Sequence, residues 1–113
     1  LFIGYCNGVG RAQQVAELIE MTPAVLDLRF VKPLDQEMLV ELSTKYKKWF
    51  VFSDSAAKGG VGSAILELLN EKNIQDVALT TFEYSDAFIT HGNTKLVEES
   101  LGLLPEQLAK RIV

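Results

Sequence analysis

Cysteine is almost missing from this chain: Cys6 stands alone among 113 residues. A single cysteine forms neither an internal disulfide framework nor a cysteine-rich zinc site. In the apolar opening run "LFIGYC" it reads as a small buried hydrophobe, which suits a reducing cytoplasm. Histidine is as scarce, with His91 the only one, so a histidine-based metal site lacks ligands. Basic residues are outnumbered, 11 against 15 acidic ones, and the net charge is −4. The basic patch that non-specific nucleic-acid binding requires is therefore not present. The one basic run, "KYKK" at 45–48, reads as a solvated helix end that complements the helix dipole. No apolar run reaches the roughly 18 residues of a membrane span, and no signal peptide is visible. Repeats, low-complexity tracts and linkers are absent as well.

What is present is an ordinary globular composition, 48% apolar and 23% charged, at a length that suits one domain. The chain opens on Leu1 inside a strand-like run, which reads as a domain excised from a longer protein. Strand and helix signals then alternate. "LFIGYC" (1–6) predicts a strand and "NGVG" a turn. Ala12, Val15, Ala16 and Ile19 recur at helical spacing, predicting a helix over 10–21 that Pro23 breaks. "AVLDLR" (24–29) predicts a short strand. A helix follows "KPLD", with Asp35 placed to cap it and Met38, Leu39, Leu42 and Tyr46 on its inner side. "WFVFS" (49–53) predicts a central parallel strand, apolar on both faces. A helix over 62–72 follows, with Ile65, Leu66, Leu68 and Leu69 inward, and then a strand over 77–84. Two short helices close the chain, one around 94–101 ending near Gly102, the other opening at Pro105. This order predicts a layered α/β fold with a largely parallel sheet.

Two glycine turns invite a test for nucleotide binding. Dinucleotide fingerprints need G-x-G-x-x-G. Gly60-Val61-Gly62 has Ile65 at the third position, and Gly8-Val9-Gly10 has Gln13 there. A Walker loop also fails, because Lys58 precedes the glycines of the second turn. Close strand-to-helix packing is the stronger reading of both, although amides at a helix start attract anions. Ser85, Asp86 and His91 can be written as a triad, but no nucleophile elbow G-x-S-x-G is present. Asp27 and Asp54 fall within or just after strands, where open α/β sheets carry functional groups. Pairing with Arg29 or Lys58, or capping a helix, is their commoner role. In "LRFVKPLD", Arg29, Lys32 and Asp35 surround a proline, as in a turn held by charge pairing and a cap.

Two ordered segments carry a family resemblance. "VLDLRFVKPLD" (25–35) and "FSDSAAKGGVGSAILELL" (52–69) resemble the C-terminal domain of thiamine-diphosphate enzymes of the transketolase group. Within the group, the R-F-V-K-P-L-D run and the tail (Phe88-Ile89, His91-Gly92 and "LGL" at 101–103) resemble one branch. That branch joins pyruvate, with loss of CO₂, to glyceraldehyde 3-phosphate. The chain departs from the family pattern at Ser53, Asp54 and Ser55, where two glutamates and an asparagine are usual, and at Tyr84-Ser85-Asp86.

The resemblance implies a three-layer α/β/α sandwich whose five-stranded, mostly parallel sheet has one antiparallel edge strand. It implies a single domain over 1–113, belonging to a cytoplasmic homodimer that uses thiamine diphosphate and Mg²⁺. The G-D-G…N motif that holds this cofactor is absent from these residues, so catalytic, cofactor and metal residues are all expected to be none. Arg29, Lys32, Asp35, Gly59, Gly60, Gly62 and His91 are the motif residues expected at contacts with the rest of the parent chain or the dimer partner. Neither nucleic acid nor membrane is an expected partner. Two other readings stay open at this point. One is the tail of a transketolase or of a 2-oxoacid dehydrogenase β-subunit; the other is a stand-alone nucleotide-binding regulatory domain.

Overall fold

A computed structural model of the chain describes residues 1–56, 59–84, 98–99 and 101–112. Strands and helices alternate: β1 (Phe2–Gly4), α1 (Asn7–Leu18), β2 (Val25–Asp27), α2 (Gln36–Lys45), β3 (Lys48–Ala56), α3 (Val61–Glu71), β4 (Ala78–Tyr84) and α4 (Pro105–Ile112). The sheet order is β2-β1-β3-β4, and every pair is parallel, with Phe2 opposite both Val25 and Phe50 and Lys48 opposite Ala78. The five-stranded sheet with an antiparallel edge is thus corrected to four parallel strands among the described residues. Each strand-to-strand connection contains a helix, and a helical crossover returns the chain to the end of the sheet where it started. After β4 the described chain continues in helical residues 98–99 and in α4, not in an edge strand.

The two faces of the sheet follow from the period-two alternation of "WFVF". Trp49 and Val51 point with Ile3 into one layer, packed by Leu39 of α2 and by Val61, Ile65, Leu68 and Leu69 of α3. Phe2, Phe52 and Phe82 point into the other, covered by Ala12 and Val15 of α1 and Leu108 of α4. The aromatic layer is continuous, with ring centroids 5.1 Å apart for Phe2–Phe52 and 5.3 Å for Phe52–Phe82. The Arg111 guanidinium lies 4.8 Å from the Phe82 ring centroid and closes the outer side of this layer. Trp49 is fully buried yet keeps its indole satisfied by donating Nε1–H to the Tyr46 carbonyl at 2.8 Å.

Helix ends agree with their sequence signals in three places. Asp35 caps α2, accepting the Met38 amide at 3.1 Å. Gly102 takes φ +74°, and the Leu103 amide reaches back to the Glu98 carbonyl at 2.9 Å, the hydrogen bond that closes a helix through a left-handed residue. Pro105 opens α4, which carries Glu106 in its first turn and Lys110 and Arg111 in its last.

Three local expectations are revised. Helix α1 begins at Asn7, so "NGVG" is its first turn rather than a connection before it, and it ends at Leu18. Cys6 is exposed, at φ 53°, because the chain pivots there from β1 into α1. Leu66 is 47% exposed, since it falls outside the stripe of Val61, Ile65, Leu68 and Leu69 that i, i+3, i+4 spacing turns toward the sheet.

Candidate functional site

In a parallel sheet the C-terminal ends of the strands are where groups from different connections meet. Here the crevice falls between β1 and β3, since α1 leaves over one face and α3 over the other. Both glycine turns open onto it. Close approach explains Gly8: a Cβ built there would lie 1.8 Å from the Phe52 carbonyl oxygen, so α1 crosses β3 in backbone contact. Gly62 is similar at the start of α3, where a Cβ would lie 2.1 Å from Thr81 Cγ2 and 2.7 Å from Glu83 Oε1.

Two polar clusters occupy this edge. In the first, Arg11 is buried at 7% exposure, and its Nη2 donates to Asp54 Oδ1 at 3.1 Å and to Glu98 Oε1 at 2.8 Å. Asn7 donates to the other oxygen of Asp54 at 2.8 Å, and the Tyr84 hydroxyl donates to Glu98 Oε1 at 3.2 Å. One guanidinium therefore ties α1 to the end of β3 and to the helical residues ahead of α4. Burial first, then the nearby carboxylates of Glu98 and Asp54, push the Tyr84 phenol above its ordinary pKa; Arg11 partly opposes them. In the second cluster, Glu83 at the end of β4 is buried. Its Oε2 accepts from the Ser53 hydroxyl at 2.5 Å and its Oε1 from the Gly62 amide at 3.1 Å.

The helix starts are thus furnished from within the domain. At α3, a protein carboxylate stands at the amide of Gly62, where an anion would otherwise be attracted. At α1, the Gly8 and Val9 amides donate to the carbonyls of Tyr5 and Cys6, and Asp54 lies against the Asn7 side chain. A phosphate brought to either turn would meet Glu83 or Asp54. Arg11 Nη1 has no hydrogen-bond partner, but it is sealed from solvent and so is not presented to an incoming ligand. Among the described residues no three His, Cys, Asp or Glu side chains converge as a metal site, and no helix is long and apolar enough to cross a membrane. Thiamine diphosphate with its divalent ion requires an open diphosphate cradle and oxygen ligands for the metal. These residues do not fit it: the Gly8, Val9 and Gly62 amides and the carboxylates of Asp54, Glu83 and Glu98 are already engaged by partners within the domain.

The residues singled out in the sequence are distributed differently. Arg29 is exposed, at φ 61°; its amide donates to Asp27 Oδ1 at 3.2 Å and its Nε lies 3.9 Å from Asp27 Oδ2. Lys32 is exposed and precedes a cis peptide to Pro33, and Asp35 is occupied as the cap of α2. These three follow β2 and do not join the clusters around Arg11 and Glu83. Gly59, at φ +73°, and Gly60 lead into α3, where Gly62 meets Glu83. His91, Ser85, Asp86 and Lys58 lie outside the described residues. Sequence reading missed Arg11, Glu98 and Glu83. Nothing in the local pattern marks an ion pair between residues 87 positions apart, and Glu83 in a strand reads as a solvent-facing residue until its neighbours are known.

The family described as "Transketolase, C-terminal domain" matches residues 1–108, and the chain belongs to it. Among curated proteins it is 62% identical over 112 residues to the 1-deoxy-D-xylulose-5-phosphate synthase of Sulfurimonas denitrificans and 61% identical to that of Aliarcobacter butzleri. These alignments cover 99% of this chain but only 18% and 19% of those proteins. The chain thus spans less than a fifth of the length of these relatives. A solved structure entitled "Split gene transketolase, inactive beta4 tetramer" superposes with a TM-score of 0.84 at 22% identity. That match covers 96% of this chain and 36% of the other, and it bears on the fold alone.

Proposed function

We propose that the chain is the non-catalytic C-terminal domain of a thiamine-diphosphate-dependent 1-deoxy-D-xylulose-5-phosphate synthase. The parent converts pyruvate and glyceraldehyde 3-phosphate into 1-deoxy-D-xylulose 5-phosphate and CO₂, for isoprenoid, thiamine and pyridoxal synthesis. It uses thiamine diphosphate and Mg²⁺ held by its other domains and works as a homodimer. The observation that carries the silent role is the internal pairing at the polar edge, where Glu83, Asp54 and Glu98 are engaged by Gly62, Asn7, Arg11 and Tyr84. The identities of 62% and 61% to proteins bearing the synthase name support the choice of parent.

Within this reading the exposed loop after β2 is a contact surface of the parent. Arg29 and Lys32 are solvent-facing there, and Phe30 between them is 67% exposed. The Gly59–Gly62 turn lies at the same edge of the sheet, and His91 is assigned to the same contacts. The test compares the full-length parent with residues 1–113, each supplied with both substrates, thiamine diphosphate and Mg²⁺. Product from the full-length protein and none from the folded domain is expected. Turnover by the domain alone, checked for folding by circular dichroism, overturns the silent role, and no turnover by the parent overturns the choice of enzyme.

A further inference from the structure

At the opposite, N-terminal end of the strands lies a groove of about 740 Å³ between the end of α1 and α4. Leu18, Met21 and Ile112 supply apolar surface to it, and Leu18 and Met21 are 52% and 64% exposed. Single exposed apolar residues are ordinary, but two lining one concavity mark a surface that something covers. The charged residues of the rim, Glu20 and Glu106 against Lys48 and Lys110, balance. A balanced rim offers no field to a nucleic acid or an anionic lipid surface and suits a polypeptide of mixed composition.

The path of the chain selects the occupant. The Leu1 nitrogen donates to the Lys48 carbonyl at 2.9 Å, and the Phe50 amide donates to the Leu1 carbonyl at 2.9 Å, so Leu1 extends the β1–β3 ladder. Lys48 lines the groove, which places Leu1 at its lip. In the curated relatives the matched part is less than a fifth of the protein and belongs to a family of C-terminal domains. The polypeptide that precedes it there must arrive at this edge.

We propose that the groove seats the segment of the parent polypeptide leading into Leu1, its apolar side chains packed on Leu18 and Met21. The inference rests on the domain being part of a longer synthase chain. A photo-cross-linking amino acid replaces Met21 in the full-length parent, and cross-linked peptides are located by mass spectrometry. The expected product has the mass of one chain and joins position 21 to a peptide upstream of Leu1. In a second variant, Leu18→Cys reacts with a maleimide at least about tenfold more slowly than Gln14→Cys, an exposed position on the same helix. A cross-link to a second chain overturns the proposal. So does no cross-link together with Leu18→Cys labelling as fast as Gln14→Cys. Product formation by the unmodified parent is measured in parallel: a cross-link without turnover leaves the groove assignment standing and sinks the choice of enzyme, while turnover with no cross-link and fast Leu18→Cys labelling does the reverse.

Discussion

The two ends of the sheet differ in a way that sorts a site from its imitation. The C-terminal end has the ingredients of an active site: two glycine turns, two helix starts, a buried carboxylate with two half-buried ones, and a buried arginine. Its groups face one another, however, and they use their hydrogen bonds to hold α1, β3, β4, α3 and the C-terminal segment together. The N-terminal end has no such chemistry, yet it leaves Leu18 and Met21 open on a groove. Polar density alone therefore says little about activity. Whether the polar groups are already satisfied says much more.

Substitution can break that contrast, and the largest effect is expected at the close approach of α1 to β3. Gly8→Ala forces a Cβ against the Phe52 carbonyl, backbone against backbone, and should cost about 3 kcal/mol or more in denaturant-unfolding free energy. Arg11→Met leaves Asp54 and Glu98 without their shared cation. Because Asp54 is 33% exposed and water can reach it, the expected loss is about 2–3 kcal/mol, below that of a fully buried pair. Gly62→Ala meets the side chains of Thr81 and Glu83, which can shift, so about 1–2 kcal/mol is expected. At the exposed positions Arg29→Ala and Leu18→Ser should change the stability of the isolated domain by no more than about 0.5 kcal/mol. A loss of several kcal/mol at either would mean that those surfaces, too, hold the domain together.

The smallest effect is a pH dependence. Tyr84 is a phenol whose folded pKa is raised, so the unfolded chain loses that proton first as pH climbs past the ordinary value of 10.0. Between the ordinary and the raised value the unfolded state binds fewer protons, and stability falls as pH rises. Below that window Tyr84 makes no pH-dependent contribution. Glu98→Gln removes a negative charge beside the phenol, so the phenolate absorbance step of Tyr84 should move to lower pH. A step that stays in place would show that Glu98 does not act on Tyr84.

The parts of the fold that could be read in advance were those with local causes. "WFVF" alternates, with Trp49 and Val51 buried on one face and Phe52 buried beside a half-buried Phe50 on the other, which is the signature of a strand covered on each side. Asp35, Gly102 and Pro105 each do what their chemistry favours at a helix end. The first turn of α1 was hidden because glycine is a poor helix former, and "NGVG" reads as a turn by propensity. It is helical because only glycine lets the helix start lie on the Phe52 backbone. Cys6 misled for a related reason: an apolar run suggested burial, while the pivot into α1 turned the residue outward.

By itself the amino-acid sequence determined the layered α/β class, the central strand, the helix ends at Asp35, Gly102 and Pro105 and the family, because periodicity, capping and motif order act over a few residues or along the chain. Only the tertiary structure decided that the sheet has four parallel strands among the described residues, that Arg11 meets both Asp54 and Glu98, and that Glu83 stands at the start of α3. Those outcomes depend on residues far apart in sequence arriving at one edge of the sheet. No local preference encodes such a meeting, and the packing of α1 and α3 on opposite faces brings it about.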